Sequence, residues 1–294
     1  MRNLVLFLLF ICFTGRVSAQ LKVYEIDTFN QNRLNAVAIT VGGAYVASSV
    51  GLYYLWYHDY PTRSFHFRDD FYQWNQVDKV GHLYATYYEA QILKNMLRWT
   101  GMDDNKVIAY SAVGAFFIQL PIEIMDGFSN EWGASYSDLV ANAMGSGLFY
   151  FQERRWGEQR IKLKFSFIPT IYSDIRPNLL GSGFHEEILK DYNGQTYWLS
   201  TSTHHIFGNE KFKWLALAGG YGATGMTGGS SNPLPNYYNR EREFYFGLDV
   251  DLSQIPTKKK GVKVLLEILN CIKFPAPTLE FETDGTIQFH YLFL

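Results

Sequence analysis

Asp78, Lys79 and His82 stand within one short stretch of the chain. Asp78 and His82 are four residues apart, so on a helix both look the same way. Glu123 and Asp126 close a later apolar segment, and Asp138 and Asn142 open another. Where the ends of these segments meet, carboxylates, an imidazole and an amide converge in an apolar setting. Three chemistries suit that set. His82 with carboxylates could hold a divalent metal, although no His-Glu-x-x-His or paired Cys/His spacing accompanies it. His82 could serve as a general base oriented by Asp78, with Glu123 and Asp126 as further catalytic candidates. Or the cluster could bind a polar head group, with Lys79, Asp138 and Asn142 on the binding side. A fourth role is structural: buried polar groups satisfy one another and fix helix register, Asp138 merely capping its helix.

Other candidates are poorer. His204 and His205 are adjacent, and neighbours on a strand point to opposite faces, so they read as surface histidines rather than a chelate. Gly219, Gly220, Gly222, Gly228 and Gly229 lack the Lys-Ser/Thr of a phosphate loop and read as turns. Asp249 and Asp251 share a strand face with Glu243 and read as a solvated edge. No Ser-His-Asp order emerges.

The elements that would position the cluster are apolar. Asn35–Tyr57 carries no Asp, Glu, Lys or Arg. At about 1.5 Å per residue it is long enough to cross a bilayer. Gly43, Ala47 and Gly51 make a small-residue stripe on which another helix could pack. With no polar face, the segment reads as membrane-embedded or fully buried. Phe65–Trp74 mixes aromatics with Arg68, Asp69 and Asp70, as an interfacial segment would. Val77–Trp99 reads as a second helix. Lys106–Glu123 reads as a third, with a kink or stop at Pro121. A fourth runs from about Asp138 to Phe151, its start marked by Ser135. Its Ala141–Gly145 and Ala143–Gly147 pairs permit close helix contact.

From Arg160 the period changes to two. Ile161, Leu163, Phe165 and Phe167 alternate with Lys162, Lys164 and Ser166. Phe244, Phe246, Leu248, Val250 and Leu252 alternate with polar or small neighbours. Ile287, Phe289, Tyr291 and Phe293 form one face of a last strand. Tyr197–Phe207 and Trp214–Tyr221 are weaker strands, and Gly219–Pro235 reads as a long loop. Lys258–Gly261 leads into a short amphipathic helix, Val262–Lys273, closed by Pro275. The clear strands are too few for a closed barrel.

Composition limits the function classes. Of 294 residues, 47% are hydrophobic, 17% aromatic and only 18% charged, against roughly 25% charged in an average soluble protein. So apolar a chain does not stay disordered. A net charge of -2 with no Lys/Arg stripe argues against nucleic acid. Met1–Ala19 reads as a cleaved secretory signal: Arg2, the apolar Leu4–Phe13, then Val17-Ser18-Ala19. Its removal leaves Cys271 alone, so no internal disulfide can form.

The pattern Asp78-Lys79-x-x-His82, then Pro121-x-Glu123-x-x-Asp126, then Trp132-x-x-Ser135-x-x-Asp138-x-x-x-Asn142-x-x-Gly145 resembles the YfiM-like family, an uncharacterised domain family labelled predicted periplasmic lipoprotein. The same order of acid-Lys-x-x-His, Glu and Asp-x-x-x-Asn-x-x-Gly is similar to the VanZ-like membrane proteins, small helical proteins linked to glycopeptide tolerance. The resemblance covers roughly Asn35–Phe151. The C-terminal half resembles only longer members from Bacteroidota-type envelopes. Cys12 is not preceded by the small residue that lipid attachment wants, so the lipoprotein label does not carry over. The resemblance implies a helical core in the cell envelope and ties Asp78, His82, Glu123, Asp126, Asp138 and Asn142 into one set. It supplies no reaction.

The expected protein is α+β: a leader over 1–19, a membrane-associated helical bundle over 20–156, and an antiparallel β domain with one short helix over 157–294. It is exported to the envelope of a two-membrane bacterium, in the outer membrane or periplasm rather than the inner membrane. The expected partner is a membrane lipid or envelope glycan, not nucleic acid, and neither metal nor cofactor is specified. The expected role is a structural or lipid- or glycan-binding component. The alternative is an enzyme acting on an envelope lipid or cell-wall precursor through His82 and its carboxylates.

Overall fold

The computed structural model describes residues 28–208, 210–233 and 237–294. The expected leader, Cys12 included, lies outside the described residues. The chain adopts the α+β class, helices first and an antiparallel sheet after them. It divides into two compact units. One comprises His82–Glu158 and the described part of Cys12–Phe71; the other contains Tyr72–Gly81 and Gln159–Leu294.

In the helical unit, α1 spans Gln31–Leu52, with the Asn30 side chain accepting from the Arg33 N–H. It widens into a π turn over Tyr53–Tyr57, where His58 N–H reaches back to the Tyr53 carbonyl. Only Val37 of α1 is buried. The small-residue stripe does not pack as expected: a Cβ at Gly43 or Gly51 would meet nothing within 4 Å. Helix α2, Val77–Arg98, is continuous, its first turn counted in the sheet unit and the rest in the helical unit. Helix α3, Asp104–Phe128, starts at Asp103, whose carboxylate accepts two backbone N–H groups. It runs through Pro121 rather than ending there. Glu123 and Gly127 beyond the proline are buried, and their packing offsets the lost backbone bond. Helix α4, Tyr136–Trp156, opens where Ser135 Oγ accepts from Asp138 N–H and ends at Gly157 with φ 71°. Two short strands, β1 (Phe67–Arg68) and β2 (Ala134–Ser135), pair in parallel beside it. Of the two small-residue pairs on α4, only Ala141–Gly145 packs closely. A Cβ at Gly145 would sit 2.3 Å from the Leu83 carbonyl oxygen, whereas Gly147 faces open space.

The sheet unit is an antiparallel meander of six strands in chain order. They are β3 (Ile161–Phe167), β4 (Gln195–Ser202), β5 (Leu215–Thr224), β6 (Glu241–Val250), β7 (Ala276–Glu282) and β8 (Ile287–Phe293). Strand β7 carries no clear signal in the sequence, because its apolar positions are few, Pro275 precedes it and Pro277 is its second residue. Gly219, Gly220 and Gly222 lie inside β5, not in a turn. Gly220 lies against Trp198, whose ring would be 2.7 Å from a Cβ there. His204 and His205 sit on a helical turn, Thr203–Phe207, not on a strand. The expected amphipathic helix is α5, Lys260–Leu269.

The alternation is real, but the faces are inverted. Antiparallel partners share a face. The row Lys164–Trp198–Gly220–Tyr245–Glu280 points inward, and the next row, Leu199–Gly219–Phe246–Leu279–Phe289, points outward. Inside, Trp198, Ala218, Tyr245 and Phe293 form the core. Buried Lys164 pairs with buried Asp249 at 2.8 Å, and Lys273 lies 4.8 Å above the Trp198 ring. Outside, Phe246 and Phe289 are each 54% exposed. So Asp249 and Asp251 are not a solvated edge. Both are buried, Asp251 holding Lys162 at 2.7 Å. A register shift between Ala276 and Thr278 also turns Phe293 inward, away from the face of Ile287, Phe289 and Tyr291.

Candidate functional site

In the sheet unit, the segment leading into α2 is conformationally unusual. Trp74, Asn75 and Gln76 have φ of 49°, 47° and 66°. Left-handed backbone costs roughly 1–2 kcal/mol for each non-glycine residue. The turn therefore needs outside support. Trp74 N–H donates to the Gly229 carbonyl at 2.8 Å. Asn75 Nδ2 donates to the Glu241 carbonyl at 3.3 Å. The Asn75 carbonyl accepts from Tyr221 Oη, and Gln76 Oε1 accepts from Arg242 at 2.8 Å. So anchored, the turn delivers Asp78 and Lys79 at the start of α2.

Asp78 is fully engaged there. Tyr192 Oη donates to one oxygen at 2.8 Å, and Lys79 Nζ donates to the other at 3.0 Å. Lys79 is buried. Burial pushes the Tyr197 phenol well above the usual range, and the Asp78 charge adds to the shift. A Cβ at Gly81 would lie 2.9 Å from Tyr197 Oη, so glycine lets that ring approach the helix.

In the helical unit, α2 and α4 place His82 beside Asn142 and Asp138. His82 Nδ1 lies 3.3 Å from Asn142 Oδ1. An amide oxygen only accepts, so Nδ1 carries the proton in this contact. Nε2 then faces Asp138 Oδ1 at 3.9 Å. A ring lone pair and a carboxylate facing each other repel unless a proton or cation lies between them. Thr86 Oγ1 donates to the His82 carbonyl at 2.8 Å and lies 3.0 Å from Asn142 Oδ1. Asn142 is fully buried, and its Nδ2 has no hydrogen-bond partner among the described residues.

The network continues from Asp138. Its N–H donates to Ser135 Oγ at 3.0 Å, and Ser135 N–H donates to Glu123 Oε2 at 2.9 Å. Ser135 Oγ and Ser137 Oγ donate to Asp70 Oδ1 at 2.5 and 2.8 Å. Thus His82, Glu123, Asp138 and Asn142 belong to one connected set. Asp126 is engaged elsewhere, accepting from Tyr57 Oη at the end of α1 at 2.7 Å. Asp70, Thr86 and Ser137 join the set without any motif spacing that marks them in the sequence. Asp70 lies 65 positions from the serine it binds, and no local spacing announces such a contact.

Within the helical unit His82 and Asp138 offer two ligand atoms for a metal. In the sheet unit both Asp78 oxygens are engaged, by Tyr192 and by Lys79. Further along α2, Glu89 Oε1 accepts from Gln119 at 2.6 Å. Burial pushes the Glu89 carboxyl up to about 8. Lys94 meets buried Glu153 at 2.6 Å, and desolvation holds its ammonium below the usual lysine value.

A family model described as "Predicted periplasmic lipoprotein (DUF2279)" matches residues 67–154. That stretch contains Asp70, Asp78, His82, Glu123, Asp138 and Asn142. The description agrees with an exported protein of the cell envelope, in the periplasm or outer membrane. No curated protein and no solved structure matches the chain.

Proposed function

We propose that this exported envelope protein sits in a membrane through its helical unit and binds a lipid headgroup or envelope glycan at the His82–Asp138–Asn142 centre. The observation that carries the reading is the exposure of its apolar helices. Gln31–Tyr57 is long and apolar enough to cross a membrane, and only 6% of its most apolar window is buried. Asp104–Phe128 meets the same criterion. Its exposed residues Tyr110, Val113, Phe117, Ile124 and Phe128 recur at helical spacing on one side. Such surfaces are costly in water and ordinary in lipid. The polar centre, with a buried and unpartnered amide donor on Asn142, supports ligand binding rather than register alone. The likeness of the Asp78–Gly145 pattern to YfiM-like and VanZ-like proteins fits the same reading.

Fractionation tests it. The native protein is expected to stay with the membrane pellet through an alkaline carbonate wash, and release into the supernatant overturns membrane residence. For the centre, His82→Ala is expected to keep its melting temperature while losing co-purified lipid or glycan. A fall in stability with ligand content unchanged would leave a structural role only.

A second reading, an enzyme on an envelope lipid or cell-wall precursor, is favoured by one feature. His82 is held at one ring nitrogen by Asn142 and faces a carboxylate with the other, the arrangement of an oriented general base. Incubating extracted envelope lipids with purified protein and following their masses decides it. A mass change that disappears with both His82→Ala and Asp138→Asn supports catalysis, and unchanged lipids leave binding.

A further inference from the structure

We infer that the sheet unit carries a second membrane-contacting surface, the outer face of β6, β7 and β8 with helix α5, which rests on an anionic lipid surface without crossing it. The inference deepens the membrane reading given above for the helical unit and concerns different residues.

Three observations carry it. First, the sheet is apolar outside and charged inside. Phe244, Phe246, Leu248, Leu279, Phe281, Ile287, Phe289 and Tyr291 are exposed, while Lys164, Asp249, Lys273 and Glu280 are buried. A soluble sheet with one solvated face puts its polar residues outward. The opposite polarity belongs to sheets that face lipid.

Second, the sheet cannot span as a whole, since only β5 and β6, at ten residues each, reach the crossing length. β3, β7 and β8 have seven residues each, where a tilted crossing strand needs about 9–11. At one end of the sheet order β3 is bridged by Ile272 at Phe165 only, and at the other β8 ends the sheet; an open strand edge is not tolerated inside the hydrocarbon layer. Contact along one face is what remains.

Third, charge picks the end that meets the headgroups. Lys258, Lys259, Lys260 and Lys263 are exposed where β6 leads into α5. On α5 itself Val262, Leu265 and Leu269 are exposed at helical spacing; beyond it exposed Ile272 bridges to Phe165 of β3, and exposed Phe274 leads into β7. A short basic amphipathic helix of this kind lies in the headgroup plane. The acids gather at the other end of the sheet. Glu241, Glu282 and Asp284 flank the start of β6 and the β7–β8 turn. An anionic surface attracts the first end and repels the second.

The test uses the full mature chain with Cys271→Ser, reconstituted in vesicles of phosphatidylglycerol and phosphatidylethanolamine. Single cysteines are placed by Phe246→Cys, Leu265→Cys, Asp284→Cys or Val46→Cys and labelled with an environment-sensitive fluorophore. A spin-labelled phospholipid serves as quencher. All four sites are exposed, so labelling leaves the fold in place. Quenching is expected at 246 and 265 and not at 284. Replacing Lys258, Lys259, Lys260 and Lys263 together by Glu is expected to bring 265 down to the level of 284. Each neutralised lysine is expected to weaken the contact by roughly fivefold. If 46 is quenched while 246 and 265 are not, the sheet surface is overturned and the helical reading stands. If 246 and 265 are quenched while 46 is not, the helical reading fails and this surface stands. Energy transfer between labels at 246 on separate chains, without lipid quenching, would assign the face to a second copy and overturn the proposal.

Discussion

Glu89 is a carboxyl that stays protonated at neutral pH. Burial raises it to about 8 from 4.5, and one oxygen accepts from Gln119. The folded state therefore holds this proton more tightly than the unfolded chain does. The resulting stability is fully present below pH 4.5 and is lost progressively as pH rises to about 8, with a slope of at most ~1.4 kcal/mol per unit. Glu89→Gln keeps the shape and removes the proton. Melting curves of the purified variant are expected to lack that pH dependence and to exceed the parent at pH 8. A parent with flat stability across this window contradicts the assignment. At this scale the sequence exposed part of the site. The i, i+4 spacing of Asp78 and His82, and of Asp138 and Asn142, is a local signal that a helix converts directly into a shared face. The contacts of Asp70 with Ser135 and Ser137 join distant segments through the short β1–β2 pair, and nothing local encodes them.

Among the elements, the strands show what periodicity can and cannot tell. Alternation in β3, β6 and β8 marks two unlike faces, and it located those strands. It is symmetric with respect to which face is inside. That choice depends on whether the surroundings are water or lipid, and the pattern does not contain the surroundings. The inner charges make the inversion testable. Asp249 pairs with Lys164 and also accepts from Ser200 Oγ at 2.6 Å and Phe274 N–H at 3.1 Å. Desolvation lowers the Lys164 ammonium and the Asp249 charge partly restores it. Asp249→Ala leaves a buried cation without its partner and is expected to cost about 3–5 kcal/mol. Lys164→Met with Asp249→Leu is expected to recover much of that loss. Urea unfolding of the three proteins reads the difference. Equal stability for Asp249→Ala and the parent would place these residues in water. The helices were easier to locate, because long apolar runs and the Ser135 cap leave few alternatives. Pro121 misled the boundary of α3, since tertiary packing beyond it outweighs the local penalty.

At the scale of the whole molecule, the chain joins an apolar helical unit to a sheet unit with a charged interior. Its low charge and high aromatic content are divided between outward-facing helix stripes and the outer face of the sheet. The turn at Trp74–Gln76 sets an order of events for making such a chain. Its supports come from Tyr221, Gly229, Glu241 and Arg242, all synthesised and exported long after it. The start of α2 must therefore wait, unanchored, until strands β5 and β6 have emerged and paired. A chain ending at Arg240 loses the β6 supports. Trypsin is expected to cut such a chain rapidly at Lys79, a bond shielded in the full-length protein by the burial of that lysine. Equal resistance of the two chains would mean that the turn holds itself. The left-handed turn thus acts as a timing element: secretion must deliver strands β5 and β6 before the first turn of α2 can lock in place.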